Sequence, residues 1–146
     1  MLHWLLSTQQ DVAGLVLRLI LAAVIFPHGA QKALGWYGGH GFAGTMQYFT
    51  KSLGIPAPVG VIGIATEFLG PLFLTVGLFS RLVAAGIAVM MITAAVRVHR
   101  PNGFFMNWFG NQQGEGFEYH LLAAGIALAI VLNGAGAWSL DGLLAR

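Results

Sequence analysis

VAGLVLRLILAAVIFPHGAQK, residues 12–32, is the stretch that decides the fold of this chain. It consists mostly of Leu, Ile, Val and Ala, carries Arg18 in its interior and ends in a polar cluster that begins at Pro27. Roughly 20 apolar residues in helix cross a bilayer core about 30 Å thick, so the stretch predicts a transmembrane helix. Residues 1–11 contain neither Lys nor Arg, unlike a cleaved signal peptide, and we expect the helix to be retained.

The composition of the whole chain indicates that lipid is its solvent. Of the 146 residues, 57% are hydrophobic and only 8% are charged, and the mean hydropathy is +0.75. Soluble domains carry about 25% charged residues, and so few charges cannot cover a water-exposed surface. The net charge of +2 forms no basic stripe, so no nucleic-acid partner is expected. The absence of Cys excludes disulfides and thiolate chemistry within this chain.

Three further apolar windows have the length of a membrane span. They cover about residues 58–79, 82–99 and 117–137. Pro58 suits the start of the second helix, and Pro101 stops the third because proline disfavours helix in the residue before it. The chain is therefore predicted to be all-α, a four-helix transmembrane bundle in the lipid bilayer, with a single domain of residues 1–146.

Four spans place the connections of the chain on two sides of the membrane. The longer connections, residues 33–57 and 100–116, are rich in Gly and aromatic residues and emerge on one side, here called side B. The N-terminus, the short turn at residues 80–81 and the C-terminus lie on the other side, called side A. The slight excess of Lys and Arg on side B favours a cytoplasmic position for that side.

Arg18 and Glu67 are the charges in the interior of predicted spans. A charge inside the bilayer costs a few kcal/mol even on the most lenient scale, so each one indicates a function or a partner. One interpretation is a buried Arg18–Glu67 ion pair that locks the first two helices together. The other is that Glu67 faces a cavity, where it binds a ligand or relays protons.

A second group of polar residues lies where three helices end on side B. It consists of His28, Lys32, Arg97, His99, Glu118 and His120. Charged residues also gather at membrane interfaces without any function, which explains the Lys and Arg side chains better than the histidines. A metal site is not favoured, because Glu118 and His120 point to opposite faces of a helix and no HExxH or ExxH spacing occurs. The group predicts a polar pocket at the mouth of the bundle.

Short motifs along nearly the whole chain match a known family. They are LVLRL (15–19), HGAQKALG (28–35), GLFSRLVA (77–84), VHRPNGFF (98–105), FEYH (117–120) and WSLD (138–141), with the lone Glu67 of the second helix. The most specific part is VHRPNGFF combined with FEYH. With these motifs and four helices, the chain resembles the DoxX family of small integral membrane proteins.

The resemblance implies a multi-pass protein of the bacterial inner (plasma) membrane. The family is related to the DoxD subunit of thiosulfate:quinone oxidoreductase, and other members are linked to oxidative stress and quinone detoxification. Its polar positions fall here on Arg18, His28, Lys32, Glu67, His99, Asn102, Glu118 and Tyr119. No haem or flavin motif is visible, so no covalently bound cofactor is expected.

The leading hypothesis is a membrane subunit of a quinone-linked oxidoreductase or redox-stress system, with a quinone as cofactor in the side B pocket. In it the catalytic residues Glu67, His99 and Glu118 bind the head group or exchange protons with it. Lys32 stabilises a developing quinol anion, the ring lies against Phe104, Phe105 or Trp108, and the tail extends into lipid. The binding residues are Arg18, His28, Lys32, Asn102, Phe104, Trp108 and Tyr119.

Two alternatives come from other classes of function. The chain is a non-catalytic anchor that recruits a soluble partner enzyme through its side B loops, or it is a carrier of protons or small molecules along Arg18 and Glu67. The redox hypothesis needs a bound redox cofactor or a soluble oxidoreductase partner to supply electrons. The carrier requires a homo-oligomer, because four helices seldom enclose a transport path.

Overall fold

The computed structural model describes residues 2–145, with their side chains from residue 4 onward. These residues form helices and loops without a β-strand, which confirms the predicted all-α class. The α-helices are α1 (Leu2–Leu6), α2 (Val12–Leu34), α3 (Gly41–Gln47), α4 (Ala57–Val76), α5 (Ser80–Ala94), α6 (Glu118–Asn133) and α7 (Leu140–Leu144). A π-helical turn, Ala95–His99, and a 3₁₀ turn, Arg100–Asn102, prolong α5, while a second π-helical turn, Tyr48–Ser52, follows α3.

Helices α2 and α4 and the prolonged α5, Ser80–Asn102, are long and apolar enough to cross a membrane. Helix α6 is equally apolar in character but shorter, with 16 residues. It ends before the predicted residue 137, because Gly134 adopts a φ of 91° that only glycine accepts readily and turns the chain out of the helix. All four predicted helices therefore exist, three of them are long enough to cross a membrane, and the fourth is shorter than expected.

The core of the bundle lies where α2 and α4 pack as one pair and α5 and α6 as another. Its largest apolar members, fully enclosed, are Leu21, Ile25, Leu74, Ile87 and Ile130. Buried alanines of α5 and α6 lie among them, which lets these helices approach closely. The core fills the middle and the side A half of the bundle, and polar side chains gather at its side B end.

Gly29 fixes the register between α2 and α4. A Cβ atom at this position would overlap the backbone carbonyl of Glu67, so the two helix backbones touch there and only glycine fits. Helix α2 continues through Pro27 to Leu34, so the polar end of the opening stretch remains helical. Gly29 and Glu67 consequently lie at the same depth in the membrane.

Arg18 joins three segments at side A. Its guanidinium donates hydrogen bonds to the carbonyl oxygens of Leu74 and Thr75, at 2.8 and 2.5 Å, near the end of α4. It also reaches the carbonyl oxygens of Ala135, Ala137 and Trp138, at 2.9, 3.1 and 2.8 Å. The last carbonyl groups of a helix lack hydrogen-bond donors within the helix, and the N–H groups of the Arg18 guanidinium supply those donors. The predicted Arg18–Glu67 ion pair is therefore wrong.

Asp141 and Arg81 complete the side A connections. The Asp141 carboxylate accepts hydrogen bonds from the backbone amides of Phe79 and Ser80, at 2.7 and 2.8 Å, and so caps the start of α5. Arg81 donates to the carbonyl oxygens at the end of α6 and to that of Ser7. The segment that follows α6 thus ties together the side A ends of α2, α4 and α5.

Candidate binding cavity

A cavity of about 1000 Å³ opens in the side B half of the molecule and extends along α4 and α5 towards side A. Helices α2 and α6 supply its inner wall, and the segment after α3 covers part of its mouth with Tyr48 and Phe49. The polar residues at its inner end are His28, Lys32, Glu67, His99, Tyr119 and His120. Helices that begin and end on side B therefore bring these side chains to one place, as the sequence predicted for a polar pocket.

Glu67 is the buried charge at the centre of the cavity wall. It is 5% exposed and forms an ion pair with Lys32, whose side chain is 30% exposed. Lys32 contacts Glu67 Oε2, and no other described residue pairs with this oxygen. Because a carboxylate has about four acceptor sites, Glu67 has a countercharge and can still accept a further hydrogen bond.

Tyr119 and His120 contribute further unpaired polar atoms from the first turn of α6. The Tyr119 hydroxyl and His120 Nδ1 are both buried and lack a hydrogen-bond partner among residues 2–145. His120 is only 8% exposed. Buried polar atoms in folded proteins almost always have a partner, so several orphans around one cavity indicate a polar ligand or water. The Tyr119 ring also lies 5.7 Å from that of His28.

His99 connects the buried His120 to the side B surface. The two imidazole rings are 4.1 Å apart between centroids and tilted by 35°. His99 Nδ1 lies 2.9 Å from the carbonyl oxygen of Glu115, a hydrogen bond that places the proton on Nδ1. His99 occupies the last position of the π-helical turn that prolongs α5, and this turn directs its ring back over α6.

Several residues of the predicted site lie outside the cavity. The Glu118 carboxylate accepts hydrogen bonds from the Met106 amide and from Trp108 Nε1, at 2.8 and 3.4 Å, and so holds the loop before α6. Asn102 donates to the carbonyl oxygen of Glu115. Phe104, Phe105 and Trp108 are exposed, Trp108 by 79%, and face away from the cavity. Arg18 belongs to the side A connections.

The structure therefore groups five of the predicted site residues, namely His28, Lys32, Glu67, His99 and Tyr119. It adds His120, which the sequence placed at the side B mouth but not among the site residues. The spacing of Glu118 and His120 could have indicated this. The two residues are two apart on a helix, so one of them had to point away from the bundle. Within residues 2–145, no three His, Asp or Glu side chains are grouped so as to hold a metal ion.

The sequence profile of DoxX matches residues 13–100, which is more than half of the chain. The chain belongs to the DoxX family. The match includes His28, Lys32, Glu67 and His99 of the cavity but ends before Tyr119 and His120. With its apolar helices, this membership makes it a multi-pass protein of the bacterial inner membrane, in contact with the lipid bilayer.

Three relatives are similar over most of their length. The Bacillus subtilis (strain 168) protein named "Putative oxidoreductase CatD" is 31% identical over 82% of this chain and 79% of its own. The Escherichia coli (strain K12) "Inner membrane protein YqjF" is 28% identical over 92% of this chain and 94% of its own. An uncharacterized protein of Haemophilus influenzae is 27% identical over 92% of this chain and 85% of its own. No solved structure matches significantly.

Proposed function

We propose that this chain is the membrane subunit of a quinone-linked oxidoreductase or redox-stress system and that the cavity binds the quinone head group. One observation carries the proposal. A buried ion pair, Lys32–Glu67, and the unpaired polar atoms of Tyr119 and His120 border one cavity inside a membrane protein. The word oxidoreductase in the name of the Bacillus subtilis relative agrees with this function.

The residues present fit a quinone. Its carbonyl oxygens accept hydrogen bonds, and the Tyr119 hydroxyl is a donor without a partner among the described residues. Lys32 has further ammonium protons beyond its contact with Glu67. The rings of His28, Tyr119 and His120 offer aromatic faces at the same end of the cavity, in place of the predicted contact with Phe104, Phe105 or Trp108.

A bound quinone supplies two-electron redox chemistry, taking up two electrons and two protons as it becomes the quinol. In the proposal, the electrons come from a soluble oxidoreductase partner. Lys32 places a positive charge where negative charge develops on the ring oxygen. Glu67, held beside Lys32, gives or takes a proton within the cavity. His120 and His99 then exchange that proton with the side B surface, because His99 adjoins the exposed loop at Glu115.

Co-purification tests the proposal. The protein is extracted from its native membrane, and quinone per chain is measured by mass spectrometry for the wild type, Glu67→Gln and the matched control Glu118→Gln. Glutamine keeps the shape of either side chain, and at position 118 its amide oxygen still accepts from Met106. We expect near-stoichiometric quinone in the wild type and in Glu118→Gln and a loss in Glu67→Gln. Quinone at the bulk-membrane ratio in all three proteins would overturn the proposal.

That second outcome favours the anchor function, for which the structure offers a different surface. Phe105, Trp108 and Phe109 are strongly exposed in the loop between the prolonged α5 and α6. Such a loop fits either the membrane interface or a soluble partner. An anchor keeps its partner in Glu67→Gln and loses it when these aromatic residues are replaced by Ser, which pull-down of the partner from native membranes measures.

A further inference from the structure

The cavity does not end at the polar cluster but continues as a groove between α4 and α5. Its lining extends over residues 59–73 of one helix and 82–97 of the other. A stretch of this length rises about 20 Å along a helix axis. Lining residues such as Leu69, Phe73 and Leu82 are also exposed at the surface of the bundle, so the groove opens sideways towards lipid.

Glycines keep the groove open. A Cβ atom at Gly63 would meet only Phe49, at 4.0 Å, and one at Gly86 would lie 3.1 Å from Thr66 Cγ2. Any larger side chain at Gly63 or Gly86 would therefore occupy the groove itself. By contrast, Gly125 of α6 has no atom within 4 Å of an added Cβ and faces the membrane.

The groove has a polar half and an apolar half. Towards side B it is bordered by Thr93, Arg97 and His99, next to the polar cluster. Towards side A its lining is apolar throughout, with Leu69, Gly70, Phe73, Leu82 and Val83. At the junction lies Glu67, more than nine-tenths buried and paired with Lys32 through Oε2. An occupant with a polar head and an apolar chain matches this order, and a compact polar molecule does not.

We infer that the groove between α4 and α5 holds the single apolar chain of a membrane-dissolved ligand and is the route by which that ligand enters from lipid. The apolar chain lies along residues 69–73 and 82–86, directed from Glu67 towards side A. The identity of the head group rests on the proposed function, whereas the position of the chain rests on the groove alone.

The free energy of moving the ligand's apolar chain from lipid into the groove determines which measurement is informative. A chain that leaves lipid for a protein groove gains no hydrophobic free energy, because both surroundings are apolar. It gains only dispersion contacts and loses conformational freedom. The length of the ligand's apolar chain should therefore change its affinity little, and the position of that apolar chain is the property to measure.

The test uses a quinone whose chain carries a photoactivatable diazirine, added to the protein in lipid nanodiscs. After irradiation, labelled peptides are identified by mass spectrometry. We expect labelling to concentrate on residues 69–73 and 82–86 and to exceed that of the lipid-facing surface of α6. A Leu side chain at position 86 would occupy the space of the apolar chain, so Gly86→Leu should reduce the excess about tenfold or more. Gly125→Leu, the matched control, should leave it unchanged.

A second groove-filling variant and a competing chain-free quinone distinguish the possible results. Gly63→Leu fills the polar half without backbone overlap and should reduce the labelling less than Gly86→Leu. Excess quinone without a chain should displace the probe if the head group binds as proposed. Groove labelling that persists in the presence of this competitor supports the groove as the site of the apolar chain. It contradicts the proposal that the cavity binds a quinone head group. Labelling spread evenly over α2, α4, α5 and α6 overturns the inference, even where chain-free quinone binds.

Discussion

The ammonium group of Lys32 forms an ion pair with the buried carboxylate of Glu67. This contact joins the side B end of α2 to the middle of α4, one helical turn from the point where Gly29 touches the α4 backbone. The pair balances the charge of Glu67 in an apolar environment, and it leaves carboxylate and ammonium groups facing the same cavity. In the proposed function, stability and ligand binding are therefore coupled through two side chains.

Replacing Lys32 by Met should destabilise the protein, because Glu67 then loses its countercharge. We expect a loss of about 2–3 kcal/mol, somewhat below the value for a fully enclosed pair since Lys32 is partly exposed. The double variant Lys32→Met/Glu67→Gln should recover most of this loss. Reversible unfolding in mixed detergent and denaturant gives the free energies of the four proteins. Equal stability of the single and double variants would contradict the ion pair.

Replacing Arg18 by Lys should weaken side A and leave the cavity intact. Lysine keeps the charge but cannot match the fork that reaches five carbonyl oxygens, so we expect a loss of at least about 3 kcal/mol. Quinone per folded chain should not change. The same unfolding assay and mass spectrometry measure both effects. A variant of normal stability that has lost quinone would place Arg18 in the ligand site after all.

Replacing Gly29 by Ala should separate α2 from α4, because the added methyl group overlaps a backbone carbonyl that cannot rotate away. We expect a cost of about 3 kcal/mol, at the upper end for overpacked interiors, and a lower yield of folded protein. Gly125→Ala is the matched control, since its Cβ meets no atom and Ala favours helix. Similar melting temperatures for the two variants would show that the helices are not in backbone contact.

Replacing Asp141 by Asn should loosen the start of α5. One amide oxygen replaces two charged acceptors, so a cost of about 1 kcal/mol is expected, typical of a lost helix cap. Hydrogen exchange measured by mass spectrometry should accelerate in the first turn of α5 and remain unchanged around Lys32. Uniformly faster exchange throughout the chain would mean that Asp141 supports the whole bundle rather than one helix end.

The helices could be predicted from the sequence because each depends on a local property, a run of apolar residues long enough to cross a bilayer. The pocket at side B followed from the same property, since helix ends that emerge together bring their last side chains together. His28, Lys32 and His99 were found in this way.

The partner of Glu67 could not be predicted, because it depends on the register between two helices. An Arg18–Glu67 ion pair would require the Arg18 side chain to span the difference in depth between the two residues. Contact between Gly29 and Glu67 shifts α4 along α2, so that Lys32 lies about 4.5 Å from the level of Glu67 and Arg18 about 16 Å away. Arg18 instead binds carbonyls at helix and loop ends, which leave no mark in a sequence pattern.

The positions of the aromatic loop residues were also beyond a sequence argument. Phe104 and Trp108 were predicted to contact the quinone ring, but both are exposed and neither lines the cavity. From the first turn of α6, Glu118 holds the loop through the Met106 amide, and Met106 is the loop residue that lines the cavity. Only one side of that turn can face the cavity, and the structure assigns it to His120.

The bonds of Arg18 have a consequence for biosynthesis. Three of its five acceptors belong to residues 135–138, and the first of these follows Arg18 by 117 positions. At 5–20 residues per second, roughly 6–24 seconds pass between the synthesis of Arg18 and that of its last partner, Trp138. During that time the nascent helix carries an incompletely paired guanidinium at the translocon. Residues that are synthesised after the fourth span therefore complete the pairing of the first.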